Sequence, residues 1–533
     1  MIGIALGALG LAVCMLLGPA TSAAAPFDRP PVQSDPALEA LVDATWRRCI
    51  DFIYDGQLDS AMAVVEQTAV LTPGDPRIGL LRFRCLRENY PDDLNEEERA
   101  KRLVSKVIKP LDWTIAACDS LFVTDKKSEV GFLYRGWAQM MKAQVHAIAS
   151  QFWPAGGESR RAKSDLDEYL KKHPKDGDAG VILGGYLYFA DILPKVVKVI
   201  KFIARVPGGD RERGLAMLAA GREAGGYSAI DAEMLLAVIE YYFEGKIESS
   251  EAKFESLSKR FPYNLRVNEL LGNTAIFHPE ASVEAQAAQS RIIDGWGTRV
   301  RGWDQIFLYR ILYARARVWN QMGDYEAAKA DLERVVEGKP VEPFYLLPRS
   351  LLGLAQLAAN AGDGEAAKGY AQRVLKEERW SRYYPAAKRF ITLPVGKRQQ
   401  EIAAALADVR RDVYGAEPNP ERARARIKEV QAQHGDDARV TFLAAELARS
   451  QGDVAGARKG YEQVVSSGTD SGFESSRLMS LIRLGELDLA AKKYGEAMHR
   501  YEEAQEIESG NTHLGNMIRG RMRYIEEASH TNN

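Results

Sequence analysis

Residues Tyr309–Pro340 read YRILYARARVWNQMGDYEAAKADLERVVEGKP, and this stretch decides the fold. It divides into two helical segments with Gly323–Asp324 as the turn between them. In the second segment Ala328, Leu332 and Val335 follow at steps of four and three, so they share one helix face. Ala328 is small where the two helix backbones must approach closely. Pro340 ends the second helix because it has no backbone N–H to donate.

The pattern resembles a tetratricopeptide repeat, with its small residue, spaced apolar residues and closing Pro. That resemblance implies an all-α, tetratricopeptide-like α-solenoid, a right-handed superhelix of antiparallel helix pairs. The same register recurs along the chain. Gly56, Ala61, Val65, Thr68 and Pro73 fit it, as do Gly157, Ala162, Leu166, Tyr169 and Pro174. Gly245, Ser250, Phe254, Leu257 and Pro262 follow with Ser in the small slot. Gly362, Ala367 and Val374 repeat it without Pro, as do Gly452, Ala457, Tyr461 and Val464. In the last copy Lys492 stands for Gly, ahead of Ala497, Tyr501 and Ala504. The larger gaps predict diverged hairpins around Glu96–Ile108, Arg211–Gly221 and Glu421–Gln433. About ten hairpins are expected in all. No segment alternates with a period of two, so essentially no sheet is expected.

The chain has 533 residues, 46% apolar and 27% charged, with a formal net charge of -2. That balance argues against a general nucleic-acid binder, which needs a basic excess. The first stretch, MIGIALGALGLAVCMLLGPATSAAAP, has the layout of a secretory signal. Its apolar run Ile2–Leu17 is followed by a Gly18–Pro19 break and an Ala-rich cleavage region. An uncleaved anchor over Ile2–Ala25 is the alternative, since the run is long enough to span a bilayer. The expected organisation is a signal at 1–25, a Pro-rich linker at 26–36, a solenoid at 37–528 and a disordered tail at 529–533. An exported, periplasmic or envelope-associated bacterial protein follows from it. Beyond the signal stand Cys49, Cys85 and Cys118, an odd number that cannot all pair within one chain. Buried free thiols are expected, with one disulfide in the first hairpins as the alternative.

Several stretches are candidates for contact with partners. Lys195, Lys198, Lys201 and Arg205 form a basic stripe opposite Val196, Val199, Ile200 and Ile203. Such a helix suits an anionic membrane or a partner surface, or else the solvent edge of a solenoid. Around it, Leu193–Pro194 and GDRERGL at 209–215 resemble the tetratricopeptide outer-membrane and inclusion-body-clearance group. The resemblance covers residues 181–262 and implies a non-enzymatic adaptor, some of whose relatives work at mitochondrial or lipid surfaces. First helices in tetratricopeptide arrays line a concave groove. Arg310, Tyr313, Arg317 and Asn320 share one side of such a helix, with Arg349 and Gln356 as counterparts in the next hairpin. Guanidinium, amide and phenol groups in that arrangement suit an acidic segment or a peptide carboxylate. A solvated polar face with intramolecular ion pairs is the alternative.

Two aromatic–basic clusters, GWGTRVRGW at 295–303 and RWSRYYPAAKRF at 379–390, could bind sugars, acidic peptides or single-stranded nucleic acid, or pack between repeats with their basic neighbours in solvent. No HExxH, G-x-S-x-G, P-loop or G-x-G-x-x-G occurs, and the seven histidines are scattered. Neither CxxC nor a Cys/His cluster is present, so no catalytic residue, metal or cofactor is expected. The expected activity is that of a non-enzymatic scaffold with a protein or peptide partner.

Overall fold

A computed structural model describes residues 30–90, 104–192, 208–392, 396–434, 437–467, 476–508 and 513–531. Helices dominate them: twenty-four α-helices, two short 3-10 turns and, among the described residues, no strand. The only β-pairing among those residues is two isolated bridges, Gln57 with Arg301 and Trp296 with Val300. The structure therefore has the all-α, tetratricopeptide-like solenoid fold expected from the repeat register. The chain divides into two compact units. One unit is Met1–Ile239 with Ala252–Asn264 and Gly295–Asp304, and the other is Glu240–Glu251 with Leu265–Asp294 and Gln305–Asn533.

The first unit carries α1 (Pro36–Tyr54), α2 (Leu58–Leu71), α3 (Pro76–Glu88), α4 (Ile108–Thr124), α5 (Glu129–Ile148), α6 (Phe152–Lys172), α7 (Gly177–Ile192) and α8 (Arg211–Ala224). Helices α9 (Ala229–Tyr242) and α10 (Ile247–Arg260) contribute residues to each unit. The second unit continues with α11 (Leu265–Ala275), α12 (Ser282–Asp294), α13 (Gln305–Met322), α14 (Tyr325–Gly338), α15 (Leu346–Asn360) and α16 (Gly364–Leu375). A 3-10 turn at Glu378–Tyr383 leads into α17 (Tyr384–Thr392). Then come α18 (Lys397–Tyr414), α19 (Pro420–His434), α20 (Ala438–Ser450), α21 (Val454–Ser467), α22 (Ser476–Ala490), α23 (Tyr494–Ile507) and α24 (His513–Thr531).

A Gly–Asp dipeptide builds the turn inside three hairpins. Gly323, Gly362 and Gly452 sit at φ of 81°, 83° and 77°, a left-handed conformation that glycine adopts without Cβ strain. The next residue caps the following helix: Asp324 accepts from Ala327 N, Asp363 from Ala366 N and Asp453 from Gly456 N. Lys492 takes the same left-handed geometry at φ 57° without being glycine. The small slots Ala61, Ala162, Ser250, Ala328, Ala367, Ala457 and Ala497 are all fully buried. Large residues from the same register, including Leu166, Phe254, Tyr461 and Tyr501, are buried beside them. Each such side chain contributes roughly 2–3 kcal/mol by leaving water.

The structure departs from expectation at Gly157 and in the C-terminal tail, and it adds contacts at both ends of the described chain. Gly157 is not a turn: it lies inside α6, and the left-handed residue is Ser150, φ 58°, seven positions earlier. Seven residues are close to two helical turns, so Ala162, Leu166 and Tyr169 keep the buried face although the helix starts sooner. The end of the Pro-rich linker is fastened to the first repeat: Glu39 accepts from Val32 N and Gln33 N, and Asp35 caps α1. The tail expected to be disordered continues α24 as helix to Thr531, with Ser529 Oγ donating to Glu526 O. The polar residues of α24 are not all in solvent. Arg521 is buried and donates to Gly245 O and to Glu248 at 3.1 Å. Glycine on both sides permits that contact: a Cβ at Gly245 would lie 2.9 Å from Gly520 O, and one at Gly520 2.9 Å from Tyr242 O.

Helices were correctly anticipated at Arg211–Gly221 and Glu421–Gln433, inside α8 and α19. The hairpin expected at Glu96–Ile108 falls largely outside the described residues. So do the signal segment at 1–25 and the basic stripe of Lys195, Lys198, Lys201 and Arg205. No described helix is long and apolar enough to cross a membrane.

Candidate partner-binding face

The six residues expected to line a groove all lie in the second unit, on α13 and α15, but they do not form one open surface. Arg310 is buried, and its Nε and Nη2 donate to Glu269 Oε1 on α11 at 3.2 and 2.9 Å. Arg317 Nη1 donates to Asn273 on the same helix at 3.1 Å. The side of α13 that carries both arginines is thus turned against α11. Gln356 donates to Asn360, one turn further along α15, at 2.9 Å. Asn320 is half-buried, and Tyr313 packs against the core built by α14, α15 and α16. These contacts are intramolecular, and across the repeat interface a partner stabilises a guanidinium that is withdrawn from water.

Arg349 behaves differently. It is half-buried, with its guanidinium carbon 5.5 Å from the Tyr345 ring and 6.0 Å from Tyr383. Tyr345 and Arg349 are four residues apart, the spacing at which helical side chains meet. Next to them Arg382 lies 5.7 Å from the Phe344 ring and 5.2 Å from Tyr383. Arg379 lies 5.3 Å from Trp380. Three arginines and five aromatic residues, Tyr313 among them, therefore occupy the region where α13, α15 and the 3-10 turn join one core. Trp380, Tyr383 and Phe390 are buried in it, as the packing alternative for this cluster anticipated. Cations ride on the outside: Arg373, Lys376, Arg382, Lys388, Arg389, Lys397 and Arg398 are exposed, and within 373–398 the only acidic residues are Glu377 and Glu378.

The other aromatic cluster is structural. Trp303 Nε1 donates to Gly56 O at 3.0 Å, and Arg301 exchanges backbone bonds with Gly56 and Leu58 inside the first unit. Phe344 and Tyr345 were not singled out in the sequence. Their signal was an aromatic pair at a helix start, with Arg349 one turn on.

Elsewhere the inner polar residues form a ladder between successive first helices. Arg77 reaches Glu39 in the first unit, while Arg439 reaches Gln399 and Arg483 reaches Glu446 in the second. Glu446 is its most heavily used rung. It accepts from Arg483 Nε at 2.9 Å, Tyr414 at 2.8 Å, Arg449 at 3.4 Å and Tyr461. Burial pushes this carboxyl up, but Arg483, Arg449 and the tyrosine hydroxyl outweigh it and hold the pKa at about 2. Among the described residues no three His, Cys, Asp or Glu side chains converge to hold a metal ion.

The family model for a tetratricopeptide repeat matches residues 412–471, the end of α18 through α21. The chain carries a tetratricopeptide repeat in that segment, within an all-α, tetratricopeptide-like solenoid. No curated protein matches this tetratricopeptide chain. Among solved structures it is similar to the P58(IPK) tetratricopeptide domain, at 14% identity over 81% of this chain and 99% of that one, with a TM-score of 0.21. It is also similar to a human IFIT1 dimer with PPP-AAAA, at 9% identity over 82% and 96%, TM-score 0.29. A human IFIT1 dimer with m7Gppp-AAAA follows at 11% over 88% and 95%, TM-score 0.25. Scores this low say nothing of what the tetratricopeptide array here binds.

Proposed function

We propose that this protein is a non-enzymatic scaffold that binds a protein partner through an acidic segment, on the arginine–aromatic face of its second unit. A tetratricopeptide fold supports protein interaction in general, and the face supplies the specific reading. The observation that carries it is Arg349 set against Tyr345 and Tyr383, beside Arg382 set against Phe344 and Tyr383. Arginine, tyrosine and tryptophan are the residues on which interface energy concentrates. A guanidinium held over a ring loses little freedom when a carboxylate docks on it. Of the groove residues expected from the sequence, Arg349 and Tyr313 stay in this proposal, while Arg310, Arg317, Asn320 and Gln356 serve as its support.

Export is part of the proposal, supported by the apolar Ile2–Leu17 run and the Ala-rich stretch after it, and it places the scaffold in the periplasm or at an envelope membrane. The likeness of residues 181–262 to the outer-membrane and inclusion-body-clearance group supports the adaptor role. The basic spacing of Lys195, Lys198, Lys201 and Arg205 favours a second reading, docking on an anionic membrane. Glu substitutions there should then abolish binding to anionic liposomes.

Affinity capture from the protein's own cells tests the main reading, comparing wild type with Arg349→Glu/Arg382→Glu after circular dichroism shows equal helix content. A partner held by wild type, released by salt and lost in the variant supports it. Identical partners from both folded proteins overturn it. Arg310→Glu is the wrong probe, because it would place a second carboxylate against Glu269.

A further inference from the structure

Cys49 on α1 and Cys85 on α3 bring their sulfur atoms to 3.6 Å, both side chains buried and 36 residues apart in sequence. Both lie within the first unit. Cys118, on α4, is also a buried free thiol, and no sulfur contact joins it to the other two. We propose that Cys49 and Cys85 are a disulfide site, closed during folding in an oxidising compartment, with Cys118 left as a thiol.

The geometry favours this pair. Two sulfurs in van der Waals contact need to close by about 1.6 Å to reach bonding distance, a change that small side-chain rotations supply. The helices around them are already fixed: Thr45 Oγ1 lies 2.6 Å from Thr68 Oγ1, one turn before Cys49 on α1. On the other side, Arg77 at the start of α3 is bonded to Glu39 on α1 by two contacts of 2.7 Å. A link there would fasten the first helices of two successive repeats.

The step is a thiol–disulfide exchange with an external disulfide as oxidant. One cysteine thiolate attacks that disulfide and expels a thiolate, giving a mixed disulfide. The second cysteine then displaces the remaining half. One sulfur–sulfur bond forms and one breaks, the cysteines are oxidised, and both their protons end on the two released thiols. Within the folded protein the exchange is slow. Contact with Cys49 and burial raise the Cys85 thiol well above its ordinary range, so little thiolate exists, and the oxidant has no path to either sulfur. The bond therefore forms while the chain folds, before α1 and α3 pack.

The full chain, denatured and reduced, is refolded once in dithiothreitol and once in a mixture of reduced and oxidised glutathione. Native helix content is confirmed by circular dichroism, remaining thiols are alkylated, and proteolytic peptides are mapped by mass. The expected result is a Cys49–Cys85 linked peptide in the glutathione sample only, with Cys118 alkylated in both. Cys118→Ser should leave that link intact, and Cys49→Ser should abolish it without moving Cys85 onto Cys118. Full alkylation of Cys49 and Cys85 in the natively refolded glutathione sample overturns the proposal, and so does a link that contains Cys118. Adding oxidised glutathione to protein already folded in reductant should yield the link at least tenfold more slowly than refolding does. Equal rates would overturn the claim that it closes during folding.

Discussion

Replacing Glu446 by Gln removes one negative charge from a site that holds one buried and one half-buried guanidinium group. The substitution keeps shape, so the cost is electrostatic. Arg483, 1% exposed, keeps Glu486 at 3.1 Å, and Arg449 keeps Glu280 at 2.8 Å, so neither is left without a carboxylate. Breaking a buried pair from one side costs about 3–5 kcal/mol, and these surviving contacts place the cost near about 3 kcal/mol. The titration gives a similar figure. A carboxyl held at about 2 against 4.5 in the unfolded chain represents roughly 3.5 kcal/mol, at about 1.4 kcal/mol per pH unit. Because the folded pKa is the lower one, this stability is present above pH 4.5 and disappears as the pH falls to about 2.

At pH 7 the variant should expose the amides of α20 to hydrogen exchange about 100-fold more readily than wild type. Its thermal transition should fall by roughly 5–10 °C. The gap between the proteins should shrink as the pH drops from 4.5 toward 2, since wild type alone has this carboxylate to protonate. Glu446→Gln/Arg483→Met should recover part of the loss by removing the charge that was stranded. Unchanged exchange at pH 7, or a gap that persists at pH 2, would refute the account.

Other consequences are local. Gly323→Ala should destabilise the second unit by at least about 2 kcal/mol in urea unfolding, because a left-handed alanine is strained and its Cβ would lie 2.2 Å from Ala407 O. Lys492→Gly should act oppositely and raise stability by about 1 kcal/mol, since φ is 57° there. Asp178, fully buried, accepts from Tyr227 N at 3.0 Å and Ser228 N at 2.6 Å. Asp178→Ala should cost about 2–4 kcal/mol in the first unit by stranding two buried donors, read as loss of amide protection at those residues.

Much of the fold was readable because it rests on local rules. Gly323, Gly362 and Gly452 with their capping aspartates mark turns through backbone geometry alone, and Ala328 or Ala367 mark close packing through size. Gly157 misled because a helix long enough to bury its neighbours tolerates a glycine inside it. The candidate site was harder to see, since the direction of a polar side chain depends on the next repeat. Arg310 finds Glu269, 41 residues away, and Arg317 finds Asn273, 44 away. Arg483 finds Glu446 at 37 and Arg439 finds Gln399 at 40. These separations cluster around one repeat length, so an arginine with a polar residue one repeat upstream carries a readable sign of an internal rung. Arg349 also has ring neighbours at Tyr345, four residues before it, and at Tyr383, 34 residues after it.

The contact of Arg521 with Gly245 and Glu248 bears on how this chain can change length. An open solenoid grows or shrinks by whole repeats, because each one touches only its neighbours. Here the last helix docks on a segment about 276 residues earlier, through two glycines that leave no room for a side chain. Duplicating or deleting a hairpin between them would carry α24 away from that seat. The number of repeats in the second unit is thereby set by geometry, and variation by duplication is confined to changes within hairpins.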